Sequence, residues 1–300
     1  MTAAGAVIAG LLLGVPPALA LEGLLLRAGG EAGPARAAKP GPTAALDLPN
    51  ADRWLLPAGP LVALVGVALG AVVVPLGPGL VGRDLGIGVF YFIVVLDFVV
   101  VGLALSGWGA ATPDTVESCY RIVAQLVAYV VPLGLAVVGA IMMAGSLSTV
   151  RIVEAQSGLW FAVLQPFGLA LYLVSGLMQC YRAPFLEPFA DAIGGGVLGV
   201  AGGWTALAWR AALSGILLLV AAMGVVLFLG GWQGPAPLPG WAWMLAKTYA
   251  LAGLMIWLGR RVRPLSTARM LALAWRVLIP AGLANVLLVG GLILLGIGPG

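Results

Sequence analysis

Apolar residues come in stretches of about twenty, and this feature constrains the fold more than any other. Eight stretches are long enough to cross the roughly 30 Å hydrocarbon core of a bilayer as helices. They cover approximately residues 3–26, 55–76, 86–107, 122–145, 159–178, 205–230, 241–259 and 273–296. With 62% hydrophobic and only 9% charged residues, the chain is too apolar for a water-soluble globule. The sequence predicts an all-α membrane protein, with one polytopic domain over residues 1–300 and eight transmembrane helices.

The positive charges indicate the orientation of these helices. Eleven Lys and Arg residues lie in or beside alternate connections, whereas the segments on the opposite side hold only Arg83 and Arg151. Because cytoplasmic loops carry the excess of Lys and Arg, both termini are expected outside. The predicted cytoplasmic loops cover about residues 27–54, 108–121, 179–204 and 260–272. Residues 3–26 contain "VPPALALEG", which imitates a signal cleavage site, but no Lys or Arg precedes them, so a retained span is expected.

The residue types exclude several kinds of chemistry. The sequence has no histidine, and its two cysteines, Cys119 and Cys180, lack the spacing of metal ligands, so no metal site is expected. No Ser-His-Asp arrangement and no glycine-rich phosphate loop followed by Lys occurs. The basic residues are mostly isolated, which gives nucleic-acid binding no support. We therefore expect no catalytic residue of the chain's own and no stand-alone enzyme.

One acidic residue lies in the middle of a predicted span. Asp97 stands within "IVVLDFVVVG", at a depth where a charge costs a few kcal/mol on insertion scales. Such a residue is a candidate for a proton relay or for pairing with another polar group. A structural role facing a neighbouring helix is equally compatible with the sequence.

A polar segment follows the fifth stretch. "QCYRAPFLEPFADAIGG", residues 179–195, places Arg182, Glu187 and Asp191 among prolines and phenylalanines. Pro184 and Pro188 end helical structure, and an arginine offers a forked set of donors. These features favour an ordered loop that faces a partner, although an ordinary proline-punctuated connection fits them too. The cluster "GRRVRPLSTAR" after the seventh stretch can meet anionic lipid headgroups or a cytoplasmic partner.

Short segments throughout the chain together resemble one family. The segments are "DLGIGVFYF", "GLALSGW", "YRIVAQLVAYVVPLGL", "AGSLSTVRIVEAQ", "RAPF", "LFLGGWQGP", "LAKT" and "AWRVLIPAGLANVLL". In this order, from about Val74 onward, they resemble the H subunit of bacterial proton-pumping NADH-quinone oxidoreductase. The resemblance covers roughly three quarters of the chain.

The resemblance implies an eight-helix membrane subunit that anchors the quinone-reducing module in the bacterial inner membrane. Its cytoplasmic loops would form part of the quinone site, and buried acids would link quinone chemistry to proton translocation. The implied quinone-site or docking residues are Arg182, Pro184, Phe185, Glu187, Asp191, Glu22 and Arg36. The proton-coupling candidates are Asp97, Asp84, Arg121, Gln125 and Glu154.

Several positions depart from the family pattern. Leu186, Phe189 and Ile193 replace acids expected in the 179–195 loop, and Val130 stands where the family has a buried glutamate. Thr267 occupies the position of an expected aspartate. An absent acid cannot relay a proton, so proton coupling is in doubt, and it stays open whether Asp97 replaces the acid lost at position 130.

The expected function is that of a non-redox subunit of a complex-I-like assembly. Quinone would be its substrate, lipid and the other membrane and peripheral subunits its partners, and iron–sulfur clusters and flavin would reside on those partners. No covalently bound cofactor is expected, because the chain lacks haem and cluster ligands. Two alternatives remain: a structural paralogue without quinone or proton-coupling activity, and a hydrogenase-type anchor subunit.

Overall fold

The computed structural model describes residues 48–235 and 237–296, and this part of the chain is built of helices. Two 3-10 turns (Glu187–Phe189 and Asp191–Ile193) and a π-helical segment (Ala274–Leu278) add to the α-helices. The α-helices are α1 (Leu55–Ala71), α2 (Gly88–Leu96), α3 (Phe98–Ala110), α4 (Pro113–Ala144), α5 (Thr149–Glu154), α6 (Phe161–Leu164), α7 (Pro166–Gln179), α8 (Gly196–Gly199), α9 (Gly203–Phe228), α10 (Gly240–Arg261), α11 (Thr267–Leu273) and α12 (Ile279–Leu294).

Five helical segments of the described part are long and apolar enough to cross a membrane: Gly88–Ala110, Pro113–Ala144, Gly203–Phe228, Gly240–Arg261 and Thr267–Leu294. The shorter apolar helices α1 and α7 coincide with two further predicted stretches. The stretch 3–26 lies outside the described residues. The all-α prediction is therefore confirmed, whereas the count of eight spans and the position of the termini stay predictions.

Helix α4 begins earlier than its apolar residues suggest. The sequence places the start of this span near residue 122, but the helix starts at Pro113. Thr112 caps it, because its side chain accepts from the Thr115 backbone N–H while Thr115 Oγ1 accepts from the Thr112 N–H. Only Ala111 and Thr112 separate α3 from α4. Bounds drawn from apolarity alone thus omit the polar first turns, which carry Ser118 and Arg121, two of the residues that hold the 179–195 loop.

Helix α9 is the axis of the bundle. Of its 18 membrane-length residues, 94% are buried within the protein, whereas the corresponding share for the Thr267–Leu294 segment is 22%. Gly215 permits close approach to α1, since a Cβ there would lie 2.7 Å from Val67 Cγ1. Small residues at such contacts let apolar helices pack where lipid gives them no hydrophobic drive to associate.

Lys247 of α10 binds the C-terminal end of α9. Lys247 Nζ donates to the carbonyls of Leu229, Gly231 and Gln233 at 2.7, 3.2 and 2.6 Å. It also lies 4.2 Å from the centre of the Trp160 ring. A cation at a helix C-terminus satisfies carbonyls that have no partner within the helix.

Candidate functional site

The segment Gln179–Gly195 folds onto the first turns of α4, where three polar side chains share one face. Ser118 Oγ donates to the Pro188 carbonyl at 2.6 Å, and Gln125 Nε2 donates to the carbonyls of Met178 and Phe185 at 2.6 and 3.3 Å. Arg121 Nη1 donates to the Glu187 carbonyl at 3.2 Å. Positions 118, 121 and 125 follow the helical period, so they point the same way. Helix α4 therefore holds the loop through its backbone carbonyls.

Glu187 joins three elements. Its Oε1 lies 3.9 Å from Arg121 Nη1, and its Oε2 accepts from both the backbone N–H and the hydroxyl of Thr267. Thr267 is the first residue of α11, which is capped by Ser266. A carboxylate at the N-terminus of a helix is stabilised by the helix dipole and the free N–H groups. Thr267, which replaces an expected acid, thus serves as the donor for the acid that the loop retains.

Arg182 and Pro184 tie the loop to the rest of the bundle. Arg182 is buried, and its Nη2 donates to the Leu213 carbonyl of α9 at 3.2 Å. The Pro184 carbonyl accepts from Leu265 N–H at 2.9 Å. Phe185 is buried in the core. The predicted ordered loop is therefore packed against the chain's own helices over much of its length.

The remaining predicted docking residues are Asp191, Glu22 and Arg36. Asp191 opens the second 3-10 turn of the loop. Glu22 and Arg36 lie outside the described residues.

Asp97 lies where the helical stretch breaks between α2 and α3. Tyr129 of α4 donates from Oη to Asp97 Oδ1 at 3.0 Å. Tyr181 of the loop is close enough to interact electrostatically with both residues, and its ring packs against Phe189 with centroids 5.5 Å apart. Burial, followed by the negative charge of Asp97, raises the pKa of Tyr181 far above its usual range, so the phenol stays neutral. Asp97 therefore interacts with Tyr129 through a hydrogen bond and with Tyr181 through electrostatics.

Several buried polar atoms of the loop and of the two helices that flank it, α4 and α7, have no hydrogen-bond partner within the described part of the chain. They are Gln125 Oε1, Ser175 Oγ, Gln179 Nε2 and Tyr181 Oη. Ser175 and Gln179 lie one turn apart on α7, and Tyr181 follows directly. Since most buried polar groups in proteins are hydrogen-bonded to protein or to internal water, such a concentration marks a place suited to ordered water.

Two other predicted coupling residues lie at the opposite end of α4. Asp84 Oδ1 accepts from Ser148 Oγ at 2.7 Å, and Ser148 caps α5. Glu154 is exposed at the end of α5. The structure therefore brings Arg121, Gln125 and Asp97 towards the loop and keeps Asp84 and Glu154 apart from it.

The described residues include no group of three or more Cys, Asp or Glu that could hold a metal ion. Cys119 and Cys180 are both buried free thiols. Burial raises the pKa of Cys180 to about 12, which leaves it protonated and unsuited to metal binding or nucleophilic chemistry.

Sequence reasoning missed four residues of the site: Ser118, Tyr129, Tyr181 and Thr267. The helical spacing of Ser118 with Arg121 and Gln125 was a signal for the first of them. Tyr129 and Tyr181 gave no signal of their own, because a tyrosine in an apolar segment is typical of a core or an interface.

A bundle whose described part has five helical segments long and apolar enough to cross a membrane defines a polytopic membrane protein. The model of the NADH dehydrogenase family matches residues 46–290, and the chain belongs to this family. The resemblance inferred from the sequence is thereby confirmed.

Curated relatives named as H subunits of NADH-quinone oxidoreductase match most of the chain. One of them, the first H subunit of Rhodopseudomonas palustris (strain BisB5), is 36% identical over 245 residues, which are 81% of this chain and 76% of the relative. The first H subunit of Geobacter metallireducens is 34% identical over 82% of this chain and 78% of its own. The H subunit of Carboxydothermus hydrogenoformans is 32% identical, over 80% and 70% respectively.

Proposed function

We propose that the chain is the H-type membrane subunit of a complex-I-like NADH-quinone oxidoreductase, anchoring its quinone-reducing module. The observation that carries this proposal is the anchored 179–195 loop, which presents a fixed backbone beside a buried arginine. The names of the relatives support the same interpretation. Catalysis then belongs to the assembly: iron–sulfur clusters and flavin reside on partner subunits, and this chain takes no part in electron transfer.

In this proposal the chain spans the bacterial inner membrane eight times, with both termini outside. The connections at the Arg121 and Arg182 end face the cytoplasm, which agrees with the excess of basic residues there. The contact of Glu187 with Arg121 and Thr267 supports one shared side for three of the predicted cytoplasmic connections.

The quinone site would use the loop together with the segment before α1. Arg182, Pro184, Phe185, Glu187 and Asp191 would form the wall on this side, with Glu22 and Arg36 completing it. Arg182 can supply a charged donor, and the buried Phe185 and Pro184 can supply an apolar surface for a ring. Fixing the loop from three helices would keep this wall rigid while a peripheral module docks on it.

Proton coupling would depend on Asp97. Val130, where the family has an acid, is a partly buried residue packed against the core. Tyr129 is its direct neighbour in sequence and donates to Asp97, so Asp97 contacts the same turn of α4 as the lost position. Internal water at the unpartnered atoms of Gln125, Ser175, Gln179 and Tyr181 would connect this acid to the loop. The positive charge of Arg121 would adjust the electrostatic potential at the loop end of this proton route.

The apolar Val130 also favours a second candidate, a structural subunit that docks the module without coupling protons. A hydrogenase-type anchor draws no support from these relatives, which are named for NADH-quinone oxidoreductase.

Affinity purification of the full chain from detergent-solubilised membranes tests the main proposal. We expect peripheral iron–sulfur subunits and the quinone-reducing subunits to co-purify. A matched purification of a chain with Glu187→Leu and Ser118→Ala, which remove two loop anchors, should recover fewer of the peripheral subunits. Recovery of the intact chain without such subunits would overturn the proposal.

A further inference from the structure

A lipid-facing groove lies between α7 and α12, away from the 179–195 loop. Its volume is about 420 Å³, within the range of about 300–1,000 Å³ that small-ligand sites occupy. Phe167, Ala170 and Val174 line it from α7, and Ala281, Ala284 and Leu288 line it from α12. A single polar residue, Asn285, also contributes to the wall.

The local helix geometry explains why a groove opens here. Short alanine side chains on both helices leave space between them. Directly before α12 the helix passes through the π segment Ala274–Leu278, and Leu278 lines the groove. A π segment changes the register of the residues that follow, and such segments are frequent at functional sites.

Asn285 lies beside a second buried amide, Gln165, which does not itself line the groove. Asn285 is 4% exposed and Gln165 is 1% exposed. Asn285 Nδ2 and both amide atoms of Gln165 have no hydrogen-bond partner within the described residues. The two side chains are close neighbours, because a Cβ on Gly168 would lie 3.1 Å from both Asn285 Nδ2 and Gln165 Oε1. A buried amide without a partner is destabilising, which an acceptor or donor on a ligand would relieve.

The groove opens towards the bilayer. Phe167 at its rim is 70% exposed, and the α11–α12 segment is the least buried of the candidate spans in the described part. No charged residue lines the groove. The occupant therefore enters from the lipid phase, and the part of it that fills the groove is neutral and mostly apolar.

The depth of the amides restricts the occupant further. Gln165 is the residue directly before α7, an apolar helix, and Trp160 lies five residues earlier in the chain. Tryptophan side chains favour the membrane–water interface. The amides therefore lie somewhat inside that interface, near the level where the ester groups of lipids meet their acyl chains.

We propose that this groove binds a glycerophospholipid, with an acyl chain between α7 and α12 and its ester carbonyl accepting a hydrogen bond from Asn285 Nδ2, which turns from Gln165 towards the groove when the lipid binds. A quinone ring suits it less well, because its two carbonyls lie on opposite sides and only one polar side chain lines the groove. The proposal is independent of the function proposed for the 179–195 loop.

Photocrosslinking of the full chain in vesicles tests the proposal. The probe is a phosphatidylcholine with a diazirine in its acyl chain, and its matched control is the dialkyl ether analogue, which lacks the ester carbonyl. In the wild-type chain, the ester probe should label α7 and α12 peptides at least three-fold more than the ether probe does. Asn285→Leu should abolish this preference, whereas equal labelling by both probes in the wild-type chain would overturn the proposed hydrogen bond.

A groove-filling variant tests the site itself. Ala284→Phe should reduce labelling of these peptides at least five-fold. Leu287→Phe adds a ring on the same helix at a residue that is 77% exposed and does not line the groove, so it should leave labelling unchanged. Equal labelling of the two variants would mean that the probe labels these peptides as ordinary annular lipid, and it would overturn the proposed site. Stronger labelling by a diazirine-bearing quinone than by the phospholipid would also overturn the proposal. If Ala284→Phe fails to fold, the comparison of ester with ether probe and that of phospholipid with quinone probe can both be made on the wild-type chain.

Discussion

Tyr129 and Asp97 join parts of the bundle that are distant in sequence. The Tyr129 phenol on α4 donates at 3.0 Å to the Asp97 carboxylate at the break between α2 and α3. The contact gives the acid a hydrogen-bond partner on α4, at the residue directly before Val130. The acid is also within electrostatic reach of Tyr181 on the loop.

Asp97→Asn tests whether this acid carries a proton. The amide oxygen can still accept from Tyr129, so folding should be retained, with a loss of about 1 kcal/mol or less. Because an amide does not ionise, proton uptake per NADH oxidised should fall at least ten-fold in vesicles containing the assembly. Tyr129→Phe, which removes only the donor, should reduce coupling less than this. Wild-type coupling in an active Asp97→Asn assembly would remove Asp97 from the proton route.

Glu187→Gln tests the anchor of the loop. The change removes the charge that faces Arg121 and the N-terminus of α11, so we expect a stability loss of about 1 kcal/mol. Amide exchange of residues 185–190 should then quicken by about five-fold, since this free energy corresponds to such a factor. Hydrogen exchange followed by mass spectrometry measures it.

Glu117→Gln is the matched control for that measurement. Glu117 also contacts Arg121, but it is exposed and belongs to α4 alone. A surface pair of this kind contributes about 0–1 kcal/mol. Equal effects of the two substitutions would contradict a special role for Glu187.

Gly259→Ala should displace the loop. A Cβ at this position on α10 would collide with the Ala183 carbonyl. We expect a loss of at least about 2 kcal/mol, as for overpacking elsewhere in protein cores, where about 1–3 kcal/mol is common. The thermal stability of the chain in detergent and the quinone-reductase activity of the assembly would both decrease.

Gly253→Ala is the control on the same helix. Nothing lies within 4 Å of its Cβ position. The substitution should be neutral or stabilising by up to about 1 kcal/mol through helix propensity. If both alanine variants behaved alike, the packing of Ala183 against α10 would not matter to the loop.

Cys180 and Cys119 should resist thiol reagents in the native protein. Both are buried, and burial keeps the pKa of Cys180 at about 12, so its thiolate is scarce at neutral pH. A membrane-permeant maleimide should label neither residue until denaturant is added, as judged by intact mass. Rapid labelling of either thiol in the folded chain would contradict its placement.

The sequence was informative where one property decides the structure. Apolar stretches predicted the positions of α9 and α10 within a few residues, because hydrocarbon thickness sets helix length. The start of α4 could not be predicted in this way, since a capping box at Thr112 extends it through polar residues. The pairing of Asp97 with Tyr129 depends on how helices distant in sequence pack, and no local pattern encodes that packing.

The same limit applied to the loop. The sequence favoured an ordered loop, because Pro184 and Pro188 end helical structure and Arg182 offers a forked set of donors. The sequence did not predict its anchor at Thr267, because a threonine in such a segment is compatible with capping, packing or exposure.

Helix α9 is held by cations at two levels: Arg182 at the Leu213 carbonyl and Lys247 at the Leu229 carbonyl. Between them it is surrounded by protein rather than by lipid. Its position relative to the other helices is therefore fixed by these two contacts and by the surrounding protein. Hydrophobic mismatch in a thinner or thicker membrane acts on peripheral helices such as α12, which can tilt, and leaves the axis in place.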